Sequence, residues 1–159
     1  MSTLLNDTMA DRDGVIWFNG QLIKWRDANI HILTHGLHYA SVAFEGERAY
    51  GGKVFRLKEH SQRLLDSAKM LRIPIDYSLE DIMAATDEVI KANQLPDCYV
   101  RPVVYRGPEV MGLLPSSAAA HVAIAAWEWP SYFDMATKMK GIKLQWAEWR
   151  RPAPNTAPV

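Results

Sequence analysis

Residues 15–25, VIWFNGQLIKW, decide how the fold begins. They consist of two apolar runs of β type joined by Asn19-Gly20, a dipeptide that tolerates the positive φ angles of a two-residue turn. A β-hairpin is therefore predicted here. A second hairpin is predicted where Phe44 to Tyr50 meets Gly51-Gly52 and continues through residues 53–56, because two turn residues again separate alternating runs.

After the second hairpin the apolar period changes to that of a helix. Leu57 begins a helically spaced run that Pro74 ends, since proline cannot continue the backbone hydrogen bonds of a helix. A second helix is predicted from Ser78 to a stop at Pro96. Asp81, three residues after Ser78, forms a variant of the capping box that starts helices.

Two further strands, Tyr99 to Tyr105 and Ala119 to Trp129, follow the helices, and the second is apolar enough to lie inside a sheet. Strands, two helices and strands predict an α+β fold, a small antiparallel-sheet domain with two helices. We assign residues 15–133 to this domain and residues 1–14 to a flexible tail.

The last part of the chain is expected to belong to something larger. Residues 134–159 contain a short periodic segment, Met135 to Lys140, and one alternating strand, Ile142 to Trp149, before a proline-rich stretch. Nothing after this strand is available to pair with it. We therefore interpret residues 134–159 as an interdomain connection and the first strand of a truncated larger domain.

The composition excludes several classes of protein. The 159 residues are 48% hydrophobic and 23% charged, as in globular proteins, and eighteen Lys plus Arg balance eighteen Asp plus Glu. No broad positive field is expected to attract nucleic acid or an anionic membrane, and no apolar run has membrane-spanning length. Cys98 is the single cysteine and no charged-then-apolar leader opens the sequence, so we expect a cytoplasmic location.

Strand alternation places two arginines among aromatic side chains. Phe44 and Arg48 share one face of their predicted strand, as do Tyr99 and Arg101. A guanidinium between apolar walls is well suited to hold a carboxylate or phosphate through two parallel hydrogen bonds, so a small organic anion is the natural ligand. The alternative is that both arginines pair with glutamates or lie along strand edges.

The other candidate residues and motifs do not indicate a catalytic or metal-binding role. By pattern alone, Arg63 is a solvated residue of the first helix. His31, His35 and His38 fall close together, but their spacing fits no common zinc motif and no metal is predicted. The sequence lacks a glycine-rich dinucleotide fingerprint, a phosphate loop and a nucleophile-elbow serine, so the commonest nucleotide-binding and hydrolase functions are excluded.

Five blocks of the sequence, taken in order, resemble one family. They are His35-Gly36-Leu37-His38-Tyr39, Phe44-Glu45-Gly46-Glu47-Arg48, His60-Ser61-Gln62-Arg63-Leu64, Tyr99-Val100-Arg101-Pro102 and Ala153-Pro154-Asn155-Thr156. Together they are similar to the branched-chain amino acid aminotransferases, fold-type IV enzymes that use pyridoxal 5'-phosphate. In that family a small N-terminal α+β domain precedes a larger domain, with the cofactor between them, and this chain resembles the first part.

The resemblance implies roles for individual residues. It makes Arg63 the arginine that binds the cofactor phosphate. It makes a second set of residues the walls of the substrate pocket, with Tyr99 and Arg101 binding substrate carboxylates: Tyr39, Phe44, Arg48, Tyr99, Arg101, Trp129 and Tyr132. Leu113, together with Tyr39, is implied to reach the site of a neighbouring subunit, so at least a homodimer is expected. Glu47 stands where a more apolar residue is expected, and strand alternation predicts that it points away from the pocket.

The family's Schiff-base lysine follows the Ala-Pro-Asn-Thr block by a few residues, so it is expected to lie beyond Val159. The resemblance thus implies transamination of leucine, isoleucine and valine with 2-oxoglutarate by the parent protein, with the corresponding 2-oxo acids and glutamate as the other small-molecule substrates. The 159-residue chain alone is expected to be inactive. The alternatives are D-amino acid transaminase or aminodeoxychorismate lyase, which share the fold, and a stand-alone module that binds a small anion.

Overall fold

A computed structural model describes residues 8–114, 117–131, 133–153 and 155–156. The chain divides into two compact units, one ending at Glu128 and the other beginning at Trp129. No helix in these described ranges has both the length and the apolar character required to cross a bilayer. Of the predicted tail, residues 1–7 lie outside the described residues, whereas Met9 accepts a hydrogen bond of 2.6 Å from the Trp25 indole through its carbonyl oxygen.

Within the described residues, the first unit is built on one antiparallel sheet of seven strands. In chain order the strands are β1 (Val15–Phe18), β2 (Gln21–Lys24), β3 (Val42–Phe44), β4 (Glu47–Tyr50), β5 (Lys53–Val54), β6 (Cys98–Arg106) and β7 (Ala120–Trp127). Across the sheet the order is β2-β1-β7-β6-β4-β5, and β3 also pairs with β6. β6 is therefore the central strand, with β7 along one edge and both β3 and β4 along the other.

Both predicted hairpins form. Asn19 and Gly20 adopt positive φ angles of 47° and 94° between β1 and β2, and Gly51 and Gly52 do the same between β4 and β5, with 56° and 76°. One detail of the second hairpin was predicted wrongly, because the expected strand from Phe44 to Tyr50 is interrupted after Phe44. The Glu45 amide instead donates to the Pro102 carbonyl at 3.0 Å, which leaves β3 and β4 as separate strands on the same edge of β6.

The two predicted helices are present as α2 (Leu57–Met70) and α3 (Leu79–Ala92). The capping box at Ser78 is confirmed: its hydroxyl accepts from the Asp81 amide at 3.1 Å, and the Asp81 carboxylate accepts from the Ser78 amide at 2.9 Å. α2 ends before Pro74, because Arg72 takes a left-handed conformation with φ of 55°. A short helix, α1 (His35–Tyr39), and a 3₁₀ turn, Trp25–Asp27, were not predicted.

The apolar core lies between one face of the sheet and helices α2 and α3. Alternate residues of β6 and β7 point into it, and α2 and α3 supply the side chains that pack on them: Val100, Val104, Val122, Ile124 and Ala126 from the sheet, and Leu64, Ala68, Ile82, Val89 and Ile90 from the helices. Cys98 is also buried on this face, and burial raises the pKa of its thiol. The opposite side of β6 carries Tyr99, Arg101 and Val103, and we call this side of the sheet the open face.

In the second unit the predicted strand Ile142 to Trp149 is not formed. The segment Met135–Lys140 is a helix, α4, capped by the Asp134 carboxylate, which accepts from the Thr137 amide at 2.7 Å. Residues 142–149 then carry neither helix nor strand. An extended segment becomes a strand only when a neighbour pairs with its backbone, and no strand of the described residues pairs with this one.

Glu47 is the polar exception within the core. Its side chain points to the helix-covered face, as strand alternation predicted, and only 2% of the residue is exposed. Neither carboxyl oxygen has a hydrogen-bond partner among the described residues. Burial, and secondly the negative charge of Glu45, raise the pKa of Glu47 to about 8. The core therefore holds this side chain as a neutral acid at neutral pH.

Replacing Glu47 with glutamine should stabilise the protein increasingly as the pH rises. Between the ordinary pKa of 4.5 and the folded value of about 8, the folded protein holds a proton that the unfolded chain lacks. Wild-type stability should therefore lose about 1.4 kcal/mol per pH unit through this window relative to E47Q, with no further change above it. Urea denaturation at about pH 5, 6.5 and 8 measures the difference.

The matched control is E59Q, which removes a carboxylate that is 58% exposed and pairs with Arg56 on the surface of α2. Its stability relative to wild type should hardly depend on pH over the same range. A difference between E47Q and wild type that stayed constant from acid to alkaline pH would contradict the buried neutral acid.

Candidate functional site

Arg101 lies on the open face between two aromatic rings. Its Cζ atom is 4.2 Å from the centre of the Phe44 ring and 5.2 Å from that of Tyr99. The ring faces attract the cation and hold its plane, yet these contacts do not use the N–H donors of the guanidinium. Because 60% of Phe44 is exposed, the pair lies where a ligand from solvent can reach it. Arg101 is therefore oriented for a bidentate contact with an anion.

Strand pairing brings Arg48 and Trp127 to the same place. Arg48 of β4 and Trp127 of β7 both lie opposite Tyr99, and directly paired residues point to one face of a sheet. The rings of Tyr99 and Trp127 are 5.0 Å apart, and the Arg48 Cζ atom is 5.9 Å from the ring centre of Tyr50. Four of the predicted pocket residues, Phe44, Arg48, Tyr99 and Arg101, thus share the open face.

Gly46 makes room for Tyr99. A Cβ atom at position 46 would lie 2.5 Å from the Tyr99 hydroxyl oxygen, closer than atoms can approach. The absence of a side chain therefore lets the Tyr99 ring lie beside the break between β3 and β4. The aromatic wall around Arg101 depends on this glycine.

Arg63 does not lie with the other two arginines. It projects from α2, on the side of the sheet opposite the open face, and 65% of its side chain is exposed. It is nevertheless not the solvated helix residue that the pattern alone indicated. Its Nε and Nη2 atoms donate to the two carboxylate oxygens of Glu45 at 2.5 and 2.6 Å, and Nδ1 of His60 lies 2.8 Å from Glu45 Oε2.

The charge of Glu45 is maintained inside the protein by these contacts. Only 5% of the residue is exposed, and burial by itself would raise the pKa of its carboxyl. Hydrogen bonds from Arg63 and then His60 outweigh burial and hold the pKa below its ordinary value. Phe44, one residue earlier, turns to the open face. A single strand end therefore connects the aromatic wall at Arg101 with the ion pair at Arg63.

The loop after β6 is tied to α1. His35 Nε2 donates to the Gly112 carbonyl at 3.0 Å, and the Tyr39 hydroxyl donates to the Met111 carbonyl at 3.2 Å. Glu109 in the same loop accepts from His121 Nε2 at 2.9 Å. The exposed tip of this loop is Leu113, with 81% of its surface accessible. Tyr39 and Leu113, which were predicted together, therefore lie in the corner formed by α1 and the loop after β6, which hydrogen bonds hold together.

A cavity of about 400 Å³ separates α1 from the open face. Apolar side chains make most of its wall, including Ile16, Leu37, Val42 and Val103, and Arg101 is the one charged residue among the described lining. An apolar cavity with a single cation suits a small molecule that has both a hydrocarbon part and a carboxylate.

Two further predicted pocket residues follow the first unit in the chain. Trp129 is half-buried and belongs to the second unit, whereas Tyr132 lies outside the described residues. His31 and His38 bond to nearby backbone, His31 Nδ1 to the Leu33 amide and His38 Nε2 to the Ile32 carbonyl. Within the described ranges, no group of three or more His, Cys, Asp and Glu is arranged to hold a metal ion.

Sequence reasoning missed Glu45, His60 and His35. A signal for the first two existed, because strand alternation places Glu45 on the face opposite that of Phe44, and His60 and Arg63 lie one helical turn apart on the helix that covers this face. The contact of His35 with Gly112 joins positions 77 residues apart, and nothing in the local pattern indicates it.

The family model for class IV aminotransferases matches residues 42–158, so the chain belongs to that family. The family resemblance inferred from the five sequence blocks is thereby confirmed, as is the α+β fold with its antiparallel sheet.

Individual relatives show which class IV aminotransferases the chain is similar to. The chain is 46% identical over 148 residues to the branched-chain-amino-acid aminotransferase of Pseudomonas aeruginosa, covering 91% of this chain and 48% of that protein. Identity to the Escherichia coli K12 enzyme of the same name is 42% over 149 residues, with the same coverage. The chain thus spans about half the length of the curated relatives it matches.

Solved structures agree with this. The crystal structure of the Escherichia coli branched-chain amino acid aminotransferase matches with a TM-score of 0.84 and 39% identity over 92% of this chain and 50% of that one. The T.th. branched-chain amino acid aminotransferase with pyridoxamine 5'-phosphate matches with a TM-score of 0.85 and 38% identity, again over 92% and 50%.

Replacing Gly46 with alanine should displace the Tyr99 ring and destabilise the protein by about 1–3 kcal/mol, the usual cost of overpacking. Replacing Tyr99 with phenylalanine in the G46A background removes the hydroxyl that clashes and leaves the Cζ atom at 3.4 Å, an ordinary contact. The double variant should recover part of the loss. Urea denaturation of wild type, G46A and the double variant gives the free energies of unfolding to be compared.

The control is G112A, where the nearest atom to an added Cβ is 3.7 Å away. It shares with G46A the gain from a less flexible unfolded chain but not the clash. Equal stabilities for G46A and G112A, or no recovery in the double variant, would mean that Gly46 does not accommodate Tyr99 as described.

Proposed function

We propose that this chain is the N-terminal portion of a cytoplasmic, pyridoxal-phosphate-dependent aminotransferase that exchanges amino groups between branched-chain L-amino acids (leucine, isoleucine and valine) and 2-oxoglutarate. The observation that carries the proposal is Arg101, held over Phe44 and Tyr99 at the edge of an apolar cavity. The names of the relatives support the same amino acid substrates.

The two substrates make opposite demands on one pocket. A branched aliphatic side chain gains from apolar walls such as Val42 and Val103, whereas glutamate and 2-oxoglutarate bring a second carboxylate. Arg101 supplies a donor fork for that carboxylate, and its cation–π contacts keep the fork in place when no anion is bound. The arrangement supports one site for both classes of substrate.

Arg63 is the residue we assign to the cofactor phosphate. Glu45 accepts from the Nε and Nη2 atoms, so the Nη1 edge of the guanidinium is directed away from the ion pair, on a side chain that is mostly exposed. A phosphate monoester fits this donor edge. When bound, pyridoxal 5'-phosphate supplies an electron sink for the negative charge that develops at the substrate Cα. The proposal places the Schiff-base lysine outside residues 1–159, so this chain by itself lacks activity.

The corner formed by α1 and the loop after β6 supports assembly into at least a homodimer. Leu113 and Leu114 present apolar side chains that are 81% and 83% exposed, on a loop that His35 and Tyr39 hold by its backbone. Apolar tips on a fixed backbone are suited to insertion into another protein surface. We assign Leu113, together with Tyr39, to the substrate site of a second copy.

The complete protein should turn yellow with pyridoxal 5'-phosphate, remain yellow after gel filtration, and transfer the amino group of L-leucine to 2-oxoglutarate. Formation of glutamate, measured with a coupled assay, tests the reaction. D-alanine and aminodeoxychorismate serve as comparison substrates, since enzymes with the same fold use them. A protein that stays colourless, or that prefers either comparison substrate, would contradict the proposed function.

Replacing Arg101 with alanine should lower kcat/KM for glutamate by roughly 10- to 100-fold, the loss expected for a charged hydrogen-bonded pair, and should affect leucine less. The physical reason is that only glutamate brings a second carboxylate to the site. Steady-state kinetics of the complete protein give kcat/KM for both glutamate and leucine.

R26A is the control for R101A, because Arg26 pairs with Asp11 and Asp13 on the surface, and it should leave both values near wild type. An equal loss for glutamate and leucine in R101A would remove the selective role of Arg101.

A further inference from the structure

Glu45 differs from an ordinary surface ion-pair partner. It is 5% exposed, whereas the guanidinium it binds is largely exposed. Its backbone amide is fixed to the Pro102 carbonyl of β6 at 3.0 Å, so the carboxylate projects from a rigid point of the sheet. Surface ion pairs contribute little because both partners are mobile, but here one partner cannot move.

His60 fixes the carboxylate from a second direction. Its Nδ1 atom lies 2.8 Å from Glu45 Oε2 and 3.3 Å from Arg63 Nη2. Since Nη2 is always a donor and Glu45 is anionic, the arrangement is consistent only with a proton on Nδ1 that is donated to Glu45. The short contact to Arg63 is then not a hydrogen bond. Both helix side chains donate to the same buried carboxylate.

This geometry fixes the plane of the Arg63 guanidinium. The five N–H donors of an arginine lie in one plane, and two contacts through Nε and Nη2 leave the group no rotation about its long axis. The Nη1 edge consequently has one direction. Without Glu45 the guanidinium would lose both carboxylate oxygens that fix its plane, so the same edge would sample many directions.

We propose that Glu45 is a positioning residue that orients Arg63 toward a phosphate monoester, and that His60 keeps Glu45 in place. Glu45 acts through Arg63 and does not touch the ligand. The inference rests on the proposed function, in which Arg63 binds the phosphate of pyridoxal 5'-phosphate.

Two opposing effects decide the sign of this contribution. The carboxylate repels an incoming phosphate, which would weaken binding. Arg63 is mostly exposed, however, so the solvent around its guanidinium weakens this repulsion, whereas the orientation of the guanidinium is not screened. Orientation of the donors therefore outweighs repulsion, and removing the charge of Glu45 is expected to weaken phosphate binding.

Comparing pyridoxal 5'-phosphate with pyridoxal, which lacks the phosphate, isolates this effect. The dissociation constants of both are measured in the complete protein by absorbance titration, for wild type, E45Q, R63A and the control E59Q. E45Q should weaken the binding of pyridoxal 5'-phosphate by roughly 10- to 100-fold, the loss typical when a group that orients a metal ligand is removed, and leave the binding of pyridoxal within a factor of about two. R63A should lose at least as much, and E59Q should match wild type.

The outcomes distinguish a failure of this inference from a failure of the proposed function on which it rests. If R63A retains the wild-type preference for the phosphorylated form, the phosphate role of Arg63 fails and the inference with it. If R63A loses the preference but E45Q keeps it, or binds pyridoxal 5'-phosphate more tightly, only the inference is overturned. An equal loss of both ligands in E45Q would show a structural role and overturn it as well.

A second variant covers the case in which E45Q does not fold. E45D keeps the charge but shortens the side chain by one methylene, so it cannot meet Nε and Nη2 as Glu45 does. E45D should weaken the binding of pyridoxal 5'-phosphate but not that of pyridoxal. The loss should be smaller than the one expected for a folded E45Q protein. An unchanged ratio of the two dissociation constants in E45D would overturn the proposal independently.

Discussion

The alternation of side chains along β6 is the constraint on which the rest of the structure depends. β6 is paired on both edges, so successive residues must point to opposite faces, and a slip of one position would exchange the two sets. One set, with Val100 and Val104, packs against α2 and α3. The other carries Tyr99 and Arg101. The same strand therefore supplies both apolar side chains of the core and the groups that we propose bind a substrate.

At the interruption between β3 and β4, neighbouring residues contact arginines on opposite faces of the sheet. Phe44 turns toward Arg101 and Glu45 turns toward Arg63, although the two residues are neighbours in the chain. Gly46 lets Tyr99 approach the gap. Three consecutive residues, 44–46, in this way position the surroundings of both Arg101 and Arg63.

Much of this could be predicted from the sequence, and the failures share a cause. Periodicity and turn residues located both hairpins, the helices at Leu57 and Ser78, and the face of Glu47, because these depend on neighbours along the chain. The strand expected over Ile142 to Trp149 failed because pairing is a property of two segments. The Glu45–Arg63 pair and the His35 contact joined distant positions in the same manner. The five motif blocks contain Arg48, Arg63 and Arg101, but only the packing of α2 shows that Arg63 lies apart from the other two.

The burial of Cys98 has a practical consequence for work on this molecule. The sequence has one cysteine, and its thiol is enclosed in the core with a raised pKa, so little of it is the reactive thiolate. Maleimide dyes and spin labels will consequently react with a cysteine engineered on the surface and leave the native one unmodified. Distances from the loop after β6 to a second labelled site of this chain can be recorded by fluorescence transfer or electron resonance without altering Cys98.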